Sequence, residues 1–190
     1  MPNYTQDWFE GTRGDVAFEK HLSHFKGQPN LRFLEIGVFE GRSAIWTLDH
    51  ILTGENCLMV LVDTWQGSAE HPSMRINFKD VKTRFDENIA PYAERTDIFT
   101  DNIVNASVAI GPCDFIYIDG SHASADVLRD AVIAWELAKP GAIICFDDYE
   151  WNMYAGTVNH PKIGIDAFLA AYEGRYVILE KEYRLWIRKC

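Results

Sequence analysis

Glu35-Ile36-Gly37-Val38-Phe39-Glu40-Gly41-Arg42-Ser43 carries a short apolar run directly into a helical pattern. A glycine at such a junction lets the backbone turn tightly against a ligand, and the opening of a helix offers N–H groups to its polar or anionic parts. A dinucleotide pyrophosphate loop requires GxGxxG. Here Phe39 stands between Gly37 and Gly41 and the pattern is one glycine short, which disfavours NAD. Glu35, two residues before Gly37, could hold a cationic amino group beside the loop or cap the following turn. Asp63 closes the run Val60-Leu61-Val62, where a carboxylate can accept from both hydroxyls of a ribose. Asp101 follows another run and could meet an exocyclic amine such as that of adenine, or cap the short helix after it.

A second group of acids ends two later runs. Ile116-Tyr117-Ile118-Asp119-Gly120-Ser121-His122 closes one, and Cys145-Phe146-Asp147-Asp148-Tyr149 closes the other. Three carboxylates at one edge repel unless a cation or a proton intervenes. Asp119, Asp147 and Asp148 offer hard oxygen ligands that suit Mg²⁺ or a similar divalent ion. Without a metal, Asp147 would cap a turn and Asp148 would be solvated. His122, three residues after Asp119, is placed as a general base or substrate orienter, or as a loop cap.

Positioning these residues requires alternating strands and helices. Apolar runs with little alternation predict strands over 31–36, 58–62, 96–100, 114–118 and 142–146, as in the centre of a parallel sheet covered on both faces. Helical patterns span 15–25, 42–52, 74–89, 103–109, 125–137 and 163–172. In 125–137 the apolar stripe is Val127, Leu128, Ala131, Val132 and Trp135, continued by Ala138, with Asp126, Arg129, Asp130 and Glu136 on other faces. Lys139-Pro140-Gly141 stops that helix before the next strand. Two β-like runs, 175–180 and 183–189, predict a terminal antiparallel hairpin. The expected fold is therefore α/β and Rossmann-like, a doubly wound, mostly parallel seven-stranded sheet with helices on both faces. Residues 1–190 form one domain in this reading, with 1–30 as a helical extension or lid.

Loops 64–73 and 149–161 follow strand ends at the edge where open α/β sheets bind ligands. Their aromatic residues, Trp65, His71, Tyr149, Trp151, Tyr154 and His160, are candidates for an acceptor pocket that Trp8 and the first helix help to close. Eighteen basic against 28 acidic side chains leave a net charge of −10, which opposes binding to nucleic acid and to an anionic membrane. Cys57, Cys113, Cys145 and Cys190 form no CxxC pair and read as reduced thiols. Neither a signal peptide nor a membrane span is apparent, so the expected location is the cytoplasm.

The segments EIGVFEGRS, VDTW, TDN, YIDGSH and KPGAIICFDDYEW together resemble class I S-adenosylmethionine-dependent methyltransferases, closest to the small family called methyltransferase domain 24. The resemblance runs from Leu31 to the hairpin and implies the same seven-stranded fold. It implies that Glu35, Gly37, Gly41 and Ser43 hold the methionine part of the cofactor, Asp63 the ribose, and Asp101 and Asn102 the adenine, with Phe39 and Thr64 also against the cofactor. Asp119 would lie against the cofactor and act with His122. The ligands of a Mg²⁺ ion, as in metal-dependent O-methyltransferases, would be Asp119, Asp147 and Asp148. The implied reaction is O-methylation of a small-molecule hydroxyl on a sugar or natural-product ring, with self-association into a homo-oligomer left open. A non-catalytic adenosyl-binding domain would keep the first site without needing the second, and an NAD-dependent oxidoreductase is opposed by the broken loop.

Overall fold

A computed structural model describes residues 1–68, 71, 75–152, 156, 157 and 159–190. Seven strands form one sheet: β1 (Arg32–Ile36), β2 (Leu58–Val62), β3 (Thr96–Phe99), β4 (Cys113–Ile118), β5 (Ala138–Phe146), β6 (Tyr176–Lys181) and β7 (Leu185–Lys189). Their order is β3-β2-β1-β4-β5-β7-β6. The first five are parallel, and β7 enters antiparallel between β5 and β6. Seven α-helices accompany them among the described residues: α1 (Trp8–Gly11), α2 (Gly14–Leu22), α3 (Arg42–His50), α4 (Phe78–Ile89), α5 (Ile103–Ala106), α6 (Ser124–Leu137) and α7 (Pro161–Ala171).

Alternate residues of the strands feed two apolar layers. Leu34, Ile36, Val60 and Ile116 face α5, α6 and α7, whereas Phe33, Met59, Leu61 and Phe115 face α2, α3 and α4. Burial on both faces explains why these strands read as continuous apolar runs. Chain order reverses between β1 and β4, the switch point at which doubly wound sheets open a crevice. Register places the site there: Ile36 pairs with Val62 and with Ile118, and Ile118 pairs with Phe146. Gly37, Asp63, Asp119 and Asp147 therefore emerge side by side.

Three expectations change. Lys139-Pro140-Gly141 lies inside β5 rather than before it. Strand pairing resumes from Cys113–Ala138 to Phe115–Ile143 across a bulge, and Gly141 has φ +82°, where a residue without Cβ is suited. Helix α4 starts at Phe78, where the Asn77 side chain accepts from the Lys79 N–H at 3.1 Å; Met74, the expected start, lies outside the described residues. On α6 Val132 is 38% exposed while Asp130 is 5% exposed, the reverse of their expected faces.

Candidate functional site

Gly37 has φ +84°, and a Cβ built there would sit 2.0 Å from the Asp119 carbonyl oxygen. The crossing of the β1 and β4 ends thus requires glycine at this position. Phe39 follows at φ +53°, and Gly41 at φ +83° opens α3. Asp63 secures this loop: Oδ2 accepts from the N–H groups of Val38 at 2.8 Å and Phe39 at 3.0 Å, and Oδ1 from that of Trp65 at 2.7 Å. Glu35 is buried behind the loop. Its Oε1 accepts from the Ser43 hydroxyl at 2.5 Å, and Oε2 has no hydrogen-bond partner among the described residues. Burial pushes the Glu35 carboxyl up to about 8.

Beside the loop, His122 Nε2 lies 2.7 Å from Asp148 Oδ2, and the Tyr183 hydroxyl donates to Asp148 Oδ1 at 2.5 Å. The imidazole also packs on the Trp151 ring, with centroids 4.3 Å apart. Asp148 has φ +57°, a conformation that costs energy in a non-glycine residue and clusters at functional sites. Asp119, His122 and Asp148 present ligand atoms all within 4.8 Å of one another. Two carboxylates and an imidazole are a donor set that fits a divalent cation.

Asp147 points elsewhere. Arg184 Nε lies 3.0 Å from its Oδ1, and Arg184 Nη2 donates to its Oδ2 at 3.2 Å. The Tyr117 hydroxyl donates to Oδ2 and the Asp148 N–H to Oδ1. The repulsion expected of three adjacent acids is thus relieved in two ways. Arg184 supplies a buried cation for Asp147, and burial together with the charges of Asp147 and Asp148 pushes the Asp119 carboxyl well above the usual range, favouring its proton.

A cavity of about 560 Å³ joins these groups. Of the expected cofactor residues, Gly37, Phe39, Ser43, Asp63, Thr64, Asp101, Asn102 and Asp119 line it, whereas Glu35 and Gly41 stand behind its wall. His122, Asp147 and Asp148 line it as well. Of the expected acceptor aromatics His71 and Trp151 reach the cavity. Trp65 is buried, its Nε1 donating to the Phe39 carbonyl at 2.9 Å, and is not on the wall. Tyr149 turns into the core, its hydroxyl on Asp166 at 2.8 Å, and His160 caps α7 by accepting from the Lys162 N–H at 3.1 Å. Tyr154 lies outside the described residues.

Residues 3–12 cross the glycine loop as a strap, from which Tyr4, Gln6, Trp8, Phe9 and Thr12 line the cavity. Glu40, 2% exposed, accepts from the Thr5 N–H at 2.6 Å, the Thr5 hydroxyl at 2.8 Å and Arg84 Nε at 2.5 Å. Arg184 holds the other end, donating to the Thr12 carbonyl at 3.0 Å and to its hydroxyl at 2.6 Å. Sequence reading missed Arg184 and Glu40. The available signal for the first was a lone arginine opening the apolar run Leu185-Trp186-Ile187.

The profile of a family described as a methyltransferase domain matches residues 34–149. Among curated proteins none matches the chain. An O-methyltransferase from Bacillus cereus, solved with S-adenosylhomocysteine, is 20% identical, with 99% of this chain and 84% of that one covered and a TM-score of 0.62. The O-methyltransferase TomG from Streptomyces achromogenes, involved in tomaymycin synthesis and solved with S-adenosylmethionine, is 16% identical over 100% and 83% of the two chains, with a TM-score of 0.62. MycE from the mycinamycin biosynthetic pathway, solved with Mg, S-adenosylhomocysteine and mycinamycin VI, is 14% identical over 98% of this chain and 50% of its own, with a TM-score of 0.63. The similarity to these three structures is one of fold.

Proposed function

The chain belongs to this methyltransferase-domain family and is an S-adenosylmethionine-dependent methyltransferase, and from that premise we propose that it methylates a hydroxyl oxygen of a small molecule. The observation that carries the proposal is the His122–Asp148 pair beside Asp119, facing the cavity under Trp151. In-line transfer requires the acceptor oxygen to attack the sulfonium methyl carbon as the carbon–sulfur bond breaks, so the protein must align the two and take the hydroxyl proton. His122 takes that proton, and the Asp148 carboxylate stabilises the resulting imidazolium. Asp63 and Thr64 hold the ribose, the glycine loop and Ser43 the methionine part, and Asp101 and Asn102 flank the adenine. Trp151, His71 and Trp8 form aromatic walls for the acceptor.

A divalent cation, Mg²⁺ in the first instance, would be held by Asp119 and Asp148 next to His122 and would lower the pKa of the acceptor hydroxyl. Asp147 would join them only by leaving Arg184. The O-methyltransferase fold relatives and the Mg present with MycE support both parts of this reading. Residues 1–30 act as the lid of one catalytic domain spanning 1–190. The net charge of −10 disfavours a nucleic-acid acceptor, and no helix among the described residues is long and apolar enough to cross a membrane. Three buried free thiols fit a cytoplasmic setting.

The test combines binding and turnover. D63A is expected to weaken S-adenosylhomocysteine binding at least tenfold by calorimetry, on the order of the 1.5–3 kcal/mol of charge-assisted hydrogen bonds. H122Q is expected to keep that binding and lose about 10²–10⁴-fold in methyl transfer to hydroxylated acceptors, the usual contribution of a general base. Unchanged turnover in H122Q removes the base; an activity indifferent to EDTA removes the metal.

A further inference from the structure

We propose that Arg184 is a positioning residue whose hold on Asp147 depends on the strap, so that the His122–Asp148 pair is aligned only when residues 3–12 are seated over the cavity. The proposal rests on the role of His122 as base given above. Arg184 immediately precedes β7 and is 5% exposed. Its guanidinium reaches two places at once. Nη1 donates to the Thr12 carbonyl and Nη2 to the Thr12 hydroxyl, while Nη2 also donates to Asp147 Oδ2 and Nε lies against Asp147 Oδ1. The guanidinium carries its donors in a fixed planar fork, so it cannot turn toward one partner without leaving the other. Lifting the strap takes away two acceptors and lets water reach the fork. The ion pair to Asp147, buried while the strap is seated, then weakens as solvated pairs do, and the guanidinium is released to turn.

Asp147 passes this change to the base. Its Oδ2 accepts from the Tyr117 hydroxyl, and its Oδ1 accepts from the N–H of Asp148 at 2.9 Å. Asp148 stands at φ +57°, a conformation that a non-glycine residue keeps only where its surroundings impose it, and the bond to Asp147 is one such restraint. So aimed, the Asp148 carboxylate accepts from the Tyr183 hydroxyl on one oxygen and faces His122 Nε2 with the other. Tyr183 and Arg184 are consecutive, so the segment that grips the strap also braces both acids. The path Thr12, Arg184, Asp147, Asp148, His122 is continuous, and each of its links is 3.2 Å or shorter. Because Gln6 and Trp8 of the strap line the cavity, the base would reach its working position only as the site is covered, which reserves proton removal for a site closed to water.

The full chain saturated with S-adenosylhomocysteine supplies two readouts. The rate of trypsin cleavage after Arg13 reports the strap, and the ring-nitrogen NMR signal of His122, in protein isotope-labelled at histidine, reports the pair. H122Q identifies that signal, and D148N gives its position without the carboxylate. T12V removes a hydroxyl whose hydrogen bonds run to Trp8, Phe9 and Arg184. It is expected to speed cleavage at least about tenfold and to move the His122 signal most of the way to its D148N position. T12S keeps the hydroxyl and is expected to hold the wild-type signal and a cleavage rate within about threefold of wild type. R184K, whose single ammonium cannot fork between Thr12 and Asp147, is expected to show both changes, and T12V added to it to extend neither. Faster cleavage in T12V with an unmoved His122 signal would make Arg184 a structural tie alone and overturn the proposal. Unchanged cleavage in T12V, or effects of T12V and R184K that add, overturns it as well. If R184K does not fold, the contrast between T12V and T12S decides. Neither readout depends on turnover, so unchanged turnover in H122Q removes the base without touching the link from the strap to the two acids.

Discussion

Glu35 ends β1 with its side chain sealed beneath the glycine loop, one oxygen on Ser43 and the other without a partner among the described residues. Burial raises its carboxyl from an ordinary 4.5 to about 8, so at neutral pH the folded protein keeps a proton that the unfolded chain has released. Stability from this group is therefore complete below pH 4.5 and declines as the pH rises through about 8. Glutamine mimics the protonated acid and does not titrate. The stability of E35Q relative to wild type is expected to grow from pH 5 to pH 9 by a few kcal/mol, at about 1.4 kcal/mol per pH unit of displaced titration. Urea unfolding at pH 5, 7 and 9 measures the difference, and a difference that does not change with pH removes the assignment. Gly37 carries a steric constraint instead. G37A meets the Asp119 backbone at 2.0 Å in a left-handed conformation and is expected to cost at least about 2 kcal/mol and to abolish S-adenosylhomocysteine binding, read by thermal unfolding and calorimetry.

The strap over the cavity depends on contacts between elements far apart in sequence. Glu40 ties Thr5 to Arg84 of α4, and Arg184 at the foot of β7 ties Thr12 to Asp147. E40A leaves the Arg84 guanidinium and two Thr5 donors without their acceptor, so the front of the strap should detach. Trypsin cleavage after the exposed Arg13 is then expected to accelerate at least tenfold relative to wild type, with saturating S-adenosylhomocysteine slowing it in both; equal rates would show that Glu40 does not hold the strap. The same distance between partners marks what the sequence discloses. Runs such as 58–62, buried on both faces, announce their strands, and the glycine loop and the acids closing β2, β4 and β5 follow from those strand ends. Periodicity assigns a face, not the neighbour on it. It therefore misplaced Asp130, buried where its helix meets Gly120, while Tyr149, expected from its loop position to line the acceptor pocket, packs in the core with its hydroxyl on Asp166. Nor could it show that the cation relieving Asp147 arrives from Arg184, 37 residues later in the chain.

Over the whole molecule, charge acts on the two forms of the cofactor differently. S-adenosylmethionine carries a sulfonium charge that S-adenosylhomocysteine has lost, and the protein around it has a net charge of −10. Eight carboxylates and two guanidinium groups line the cavity, so the potential remains negative even with the Asp119 proton in place. Low-dielectric walls focus such a field onto a bound cation. The donor should bind more tightly than the product, and the field should speed its capture and assist release of the product after transfer. Screening separates this effect from contacts common to both ligands, because the Debye length shrinks from about 30 Å at 0.01 M salt to about 3 Å at 1 M. The ratio of the product Kd to the donor Kd is expected to fall severalfold between 0.02 and 0.5 M NaCl, with the product Kd itself nearly constant. Calorimetry on both ligands across that series reads the ratio. A ratio indifferent to salt would mean that the field of the molecule does not reach the bound sulfonium, leaving donor preference to the short-range contacts of the cavity wall.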